Sequence, residues 1–231
     1  MEKSFSSPPN RPSGIKLLQG EKMFIANLFS NPLFFVMIIV IVTFSVTFHE
    51  LCHAWMGVRE GDYTLRDHIT MNPLKQMGII SLVMLAFVGI AWGSVPAHPE
   101  LFRSRHSQWK VALAGPVGNL ILFAVFILLF LLFGKFISHA NLKLFLNFFY
   151  LGAVYNIVLF LFNLIPAPGF DGFHILEFFF PKLGTLNSEW TKGAFIVVIF
   201  LAFFGISYLF HFAEIITGLF LRGLGNVIGI G

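Results

Sequence analysis

The sequence predicts an all-α polytopic membrane protein, and three observations carry that prediction. Apolar residues make up 57% of the chain and charged residues only 11%, too few charges to cover a soluble fold of this size. Four apolar runs are each long enough to cross a hydrocarbon core, which takes about 20 residues. The ionisable residues inside or beside those runs are few, and they gather at particular positions. A net charge of +4 is spread over the predicted loops and argues against a nucleic-acid partner. The one cysteine, Cys52, cannot close an internal disulfide.

Residues 1–14 are polar and rich in Pro and Ser, without the apolar core or cleavage site of a signal peptide, and read as a disordered tail. Residues 15–31 mix Ile15, Leu17, Leu18, Met23 and Phe24 with Lys16, Glu21 and Lys22, the pattern of a short interfacial helix. Full spans are predicted at 32–57, 108–133, 144–166 and 194–220. Between the first two, Ile79 to Trp92 is an apolar stretch of 14 residues bracketed by Gly78, Gly93 and Pro96. That length suits a re-entrant segment. The expected count is four full helices plus a re-entrant element, with room for a fifth or sixth short span. Residues 221–231 read as a Gly-rich tail, and Trp92, Trp109 and Trp190 as interfacial belt residues.

A charged side chain at the centre of a spanning helix costs roughly 2.5–3.5 kcal/mol, so ionisable residues there are candidates for function. His49, Glu50 and His53 stand near the end of the first span. They form His-Glu-Leu-Cys-His, an HExxH motif on a helix. Residues four apart share a helical face, so both imidazoles can reach one tetrahedral Zn2+, with Glu50 beside them as a general base. A hydrogen-bonded cluster joining helices is the bland alternative. Two histidines leave a catalytic zinc one protein ligand short. Asn163-Leu164-Ile165-Pro166-Ala167-Pro168-Gly169-Phe170-Asp171-Gly172 supplies a candidate. Its prolines end the third span, and the loop delivers one carboxylate, Asp171, which can equally cap the next helix.

HELCH, then Ala-Gly-Pro-Val-Gly-Asn at 114–119, then NLIPAPGFDG resemble the three signatures of the site-2 protease family of intramembrane zinc metalloproteases. The likeness is nearest to compact prokaryotic members without PDZ or CBS domains, and it runs from about residue 32 to 177. The resemblance implies zinc ligands at His49, His53 and Asp171, with Glu50 as the base. It also implies Asn119 and Asn163 near the substrate, although an Asn in a bundle can merely join two helices. It makes residues 32–220 a single transmembrane protease domain acting on transmembrane segments of membrane proteins, within regulated intramembrane proteolysis. Phe173 stands where the family commonly has a second Gly, His68 where it has Arg, and Ser94 where it has Lys.

Zinc bonds of about 2 Å require the three ligands to lie at one depth. If residues 79–92 crossed the membrane, Asp171 would emerge opposite the histidines; a re-entrant segment brings them together. Eight Lys and Arg then fall on the motif side and seven on the other, which fixes no orientation. The resemblance implies a multi-pass protein of the cell membrane with its active site facing the cytosol; oligomeric state is open. His174 is a candidate partner for Asp171, and His211 pairs with Glu214 in the last span. Cys52 reads as a packing residue, and His98, His106 and His139 as solvated loop residues. The rival class is a divalent-metal transporter with an intramembrane HExxH site.

Overall fold

Asn31 and Pro32 open the first long helix. In the computed structural model, which describes residues 24–136, 142–185 and 188–228, a short helix α1 (Ala26–Ser30) leads into α2 (Pro32–Glu60). The Asn31 side chain accepts the Phe34 N–H at 3.2 Å, and Pro32 sits in the first turn, where its missing N–H costs nothing. The later long helices are α5 (Arg105–Phe136), α6 (Leu142–Asn163) and α8 (Ser188–Ile228). Short helices α3 (Pro73–Gln76), α4 (Gly78–Val88) and α7 (Asp171–Phe179) lie between them. Among the described residues there is no strand.

Among the described residues four stretches are long and apolar enough to cross a membrane: Pro32–Glu60, Arg105–Gly134, Lys143–Asn163 and Phe204–Asn226. The first three follow the predicted spans. The fourth lies within α8, which contains the whole predicted span and runs on unbroken through most of the segment read as a Gly-rich tail, 41 residues in all. Such a helix is about 60 Å long, twice the hydrocarbon thickness. The tail at 1–14, most of the interfacial segment and His139 lie outside the described residues, as does the Trp190 side chain.

Side-chain pairs fix the helix directions. Ser45 and Ile41 of α2 meet Asn156 and Leu151 of α6, so these two run parallel. His49 and Glu60 of α2 meet Asn119 and Lys110 of α5, so α5 runs against both. The apolar core fills the space between α5, α6 and α8, around Phe123, Phe126, Phe149, Ile157 and Ala213.

The short apolar stretch between α2 and α5 goes in and comes back. At 11 residues α4 is about 16 Å long, half of a crossing. It enters beside Thr47, whose hydroxyl meets Met77 Sδ, and reaches Phe24 at its far end, where the Ile25 N–H donates to the Phe87 carbonyl. The chain then returns without regular structure. Ser81 Oγ donates to the Trp92 carbonyl at 2.6 Å, and the Ser94 N–H donates to the Gln76 carbonyl at 3.0 Å. Residue 94 is thus back at the level from which α4 departed.

Asp62 closes this loop. Its carboxylate is fully buried just beyond the end of α2 and accepts the His98 N–H at 2.8 Å and the Thr64 N–H at 3.1 Å, together with the Thr64 hydroxyl. His98, an exposed loop residue as expected, also brings Nδ1 to within 3.6 Å of Asp62. Burial alone would raise the Asp62 pKa; these donors outweigh it and hold the carboxyl below the usual carboxylate range. Its stabilising contribution is therefore complete above an unfolded value near 3.9 and is lost as pH falls through the lower folded value. Asp62→Ala is expected to cost about 1–3 kcal/mol at neutral pH. In thermal melts in detergent, the gap between wild type and variant should narrow below pH about 4.

Candidate metal centre

The helical spacing of His49 and His53 places both imidazoles on the face of α2 that packs against α5 and receives the Asp171 loop. The Nε2 atoms of the two rings are 2.9 Å apart. His49 Nε2 is 3.1 Å from Asp171 Oδ2, and His53 Nε2 is 3.2 Å from Asp171 Oδ1. Both histidines are buried and Asp171 is half-buried.

The protons on these rings are committed elsewhere. His53 Nδ1 faces the Val111 carbonyl at 2.7 Å, an oxygen that can only accept, so Nδ1 carries a proton and the neutral ring keeps its lone pair on Nε2. His49 Nδ1 donates to Asn119 Oδ1 at 2.6 Å, leaving its Nε2 in the same state. With both rings neutral no proton lies between the two Nε2 atoms, and buried Asp171 Oδ2 meets no hydrogen-bond donor. Three acceptors face one point. Donor atoms around a tetrahedral zinc with bonds of 2.0–2.1 Å would be about 3.3 Å apart, close to the separations here. Two imidazoles and one carboxylate with a fourth direction free is the donor set of a hydrolytic zinc site. His49, His53 and Asp171 therefore fit a divalent metal, and among the described residues they are the group able to hold one.

The motif at 114–119 shapes the far wall. A Cβ on Gly115 would run into both imidazole Nε2 atoms, so the glycine lets α5 press directly against the pair. Pro116 follows, fully buried, and removes one ladder bond from this part of α5. Gly118 in turn admits Cys52 Sγ, which packs between helices as expected of a small apolar side chain.

The third donor arrives on a coiled loop. Pro166 and Pro168 forbid continuation of α6, and Gly169 turns with φ 88°, a conformation that favours glycine. Gly172 packs against the Leu164 and Ile165 carbonyls, where any side chain would clash. Asp171 is the first residue of α7 and not its cap, a position held by Phe170 without a side-chain bond. Arg105 Nη2 donates to the Phe178 carbonyl at 2.9 Å and Gln108 Nε2 to Glu177 at 3.2 Å, tying α7 to α5.

Glu50 is buried beside the histidines, and the backbone at Gly93 lies against its carboxylate so closely that a Cβ there would overlap it. Asn119 is fully buried behind His49. Asn163 is half-buried at the end of α6, its Nδ2 donating to the Leu159 carbonyl at 3.0 Å. His174 turns from Asp171 toward Glu177, at 2.9 Å. His106 lies on the first turn of α5, against Phe178, and not in a loop. His211 is exposed on α8 and Glu214 is half-buried. Among the buried polar residues that escaped sequence reasoning is Asn156, in mid-α6 and bonded to Asn119 and Ser45. An uncharged amide inside an apolar run was the available signal.

Buried acceptors that converge beside a buried carboxylate, among long apolar helices able to cross a membrane, fit a metal-dependent hydrolase set in a membrane. The model of peptidase family M50 matches residues 135–205, which include the Asp171 loop. YwhC of Bacillus subtilis, a zinc metalloprotease by name, is 35% identical over 147 residues, covering 61% of this chain and 67% of that protein. Rip2 of Mycolicibacterium smegmatis, similarly named, is 32% identical over 152 residues, 62% of this chain and 57% of its own. MJ0611 of Methanocaldococcus jannaschii is 29% identical over 157 residues, covering 66% and 78%. No solved structure matches the chain significantly. The chain belongs to peptidase family M50, the site-2 protease family, and is a metalloprotease.

Gly115→Ala tests the packing of α5 on the imidazoles. The added methyl overlaps both Nε2 atoms. Metal content of the purified variant, measured by elemental analysis, is expected to fall at least tenfold. The helical circular dichroism spectrum should be unchanged.

Proposed function

We propose that the chain is a zinc-dependent intramembrane endopeptidase in which His49, His53 and Asp171 hold one Zn2+ and Glu50 moves the proton. The convergence of three buried lone pairs beside a buried glutamate carries this reading. Bound there, zinc supplies Lewis acidity and makes water a nucleophile near neutral pH. Glu50 takes the proton from the attacking water and returns it to the departing amine. Burial of Glu50 against the Gly93 backbone supports this role, because it keeps the carboxylate in one place and limits bulk water around it.

The substrate is a transmembrane segment of another membrane protein, held with the lipid bilayer as its surroundings. A spanning helix hides its carbonyls in internal hydrogen bonds, so it must unwind locally before attack. The irregular return from 89 to 98 runs past Glu50, and exposed Trp92 and Ser94 alternate along it with half-buried Gly93 and Val95. That segment offers an edge on which an unwound strand can pair. Asn163, at the depth of the centre, serves the substrate side, whereas Asn119 acts on it through His49. The protein resides in the cell membrane with the motif side toward the cytosol, and its cleavage serves regulated intramembrane proteolysis. Ion transport would need successive metal sites along a path, and among the described residues one group is present.

Zinc content and cleavage test the proposal together. Wild-type protein purified in detergent is expected to carry about one zinc per chain and Asp171→Ala to lose it. Glu50→Gln should keep the zinc while cleavage of a single-span substrate falls by about 10²–10⁴-fold. Undiminished zinc in Asp171→Ala, or cleavage by Glu50→Gln at the wild-type rate, would overturn it.

A further inference from the structure

We propose that Asn156 is a positioning residue that sets the tautomer of His49, acting through Asn119. The proposal rests on the metal-centre reading above. Asn156 lies two hydrogen bonds from the histidine, with Asn119 between them, and touches none of the three converging atoms. Its influence comes from the direction in which hydrogen bonds run through a dry, three-helix contact.

That direction starts at a group with no choice. Asn156 Nδ2 lies 2.8 Å from the Gly152 carbonyl, which can only accept. The amide nitrogen must therefore face that carbonyl, and its second proton goes to Ser45 Oγ at 2.9 Å. With Nδ2 so fixed, Asn156 Oδ1 points at Asn119 and accepts from Asn119 Nδ2 at 3.2 Å. Asn119 is left with its Oδ1 toward His49, where it can only accept, so His49 Nδ1 must carry the proton. Ser45, Asn119 and Asn156 are each fully buried, so no water is at hand to reverse a link.

The reverse setting of the same side chains has a different consequence. An Asn119 that turned its NH2 toward His49 would require a lone pair on Nδ1 and a proton on Nε2. That proton would lie between Nε2 and Asp171 Oδ2, which are 3.1 Å apart, and close the centre with a hydrogen bond. The two tautomers are thus a metal-ready centre and a proton-locked one, and the backbone carbonyl of Gly152 selects between them two side chains away. His53 needs no such relay, since the Val111 carbonyl meets its ring directly. The asymmetry assigns Asn156 to His49 alone.

Zinc affinity, read by titrating the detergent-purified protein with a competing chelator, tests the relay. Asn156→Leu is expected to bind zinc about 10–100-fold more weakly than wild type, the usual cost of losing an outer partner of a metal-binding histidine. Cleavage should recover when excess zinc is supplied. Asn119→Asp presents an oxygen to His49 whatever stands at 156, so in that background Asn156→Leu should change zinc affinity by less than about twofold. If the leucine variant does not fold, Asn156→Ser is read in its place. Its hydroxyl can bond the Gly152 carbonyl one turn back but falls short of Asn119, so the same loss is expected. An equal loss in both backgrounds means that Asn156 serves packing and overturns the proposal, as does wild-type affinity in a folded single variant. A wild type that binds no zinc overturns the metal-centre reading and the relay with it.

Discussion

Three lone pairs aimed at one point inside a membrane protein repel each other, and the rest of the structure is arranged around that fact. Left to themselves, His49, His53 and Asp171 would share protons and form an ordinary hydrogen-bonded cluster. The Val111 carbonyl and the Asn119 amide prevent this by claiming the Nδ1 protons. A cation bound there would turn three repulsions into three bonds and tie helix α2 to the loop after α6.

Bringing those atoms together is a problem of depth before it is one of chemistry. The histidines ride on a helix that runs in one direction, and Asp171 follows a helix that must run the same way to deliver it at the same level. One antiparallel helix, α5, separates them, which is possible only because the intervening apolar stretch does not cross. Its 11-residue helix and hydrogen-bonded return consume an odd crossing without spending a span. The same return carries the Gly93 backbone to Glu50, so the device that corrects the topology also builds one wall of the centre.

Small residues set the remaining tolerances. With lipid outside, close approach of backbones supplies much of the helix contact. Gly115 lets α5 touch the imidazoles, Gly152 lets Phe126 seat on α6, and Gly172 folds the Asp171 loop onto its own carbonyls. Between these contacts runs the buried polar line from Ser45 through Asn156 and Asn119 to His49. Polar atoms in such surroundings are costly unless paired, and here each pairing also transmits an orientation.

Much of this was legible in the sequence, and for physical reasons. Hydrophobic run length marks spans because the bilayer thickness is fixed, so each of the four expected crossings falls on a long apolar helix. The i, i+4 spacing of His49 and His53 follows from helix geometry alone, and the prolines around Asp171 announce a loop. The extent of α8 was missed, because glycines at 223 and 225 read as a tail and nothing local forbids them in a helix. The turning of His174 to Glu177, and of His98 to Asp62, also escaped, since both depend on what another segment brings near. Sequence by itself determined the donor types, their helical spacing and the membrane setting, because these are properties of neighbouring residues. Only the tertiary structure decided which nitrogen of each histidine keeps its proton. That choice belongs to Val111 and Asn119, and through Asn119 to Asn156, residues far along the chain that come together with the histidines only when α2, α5 and α6 pack.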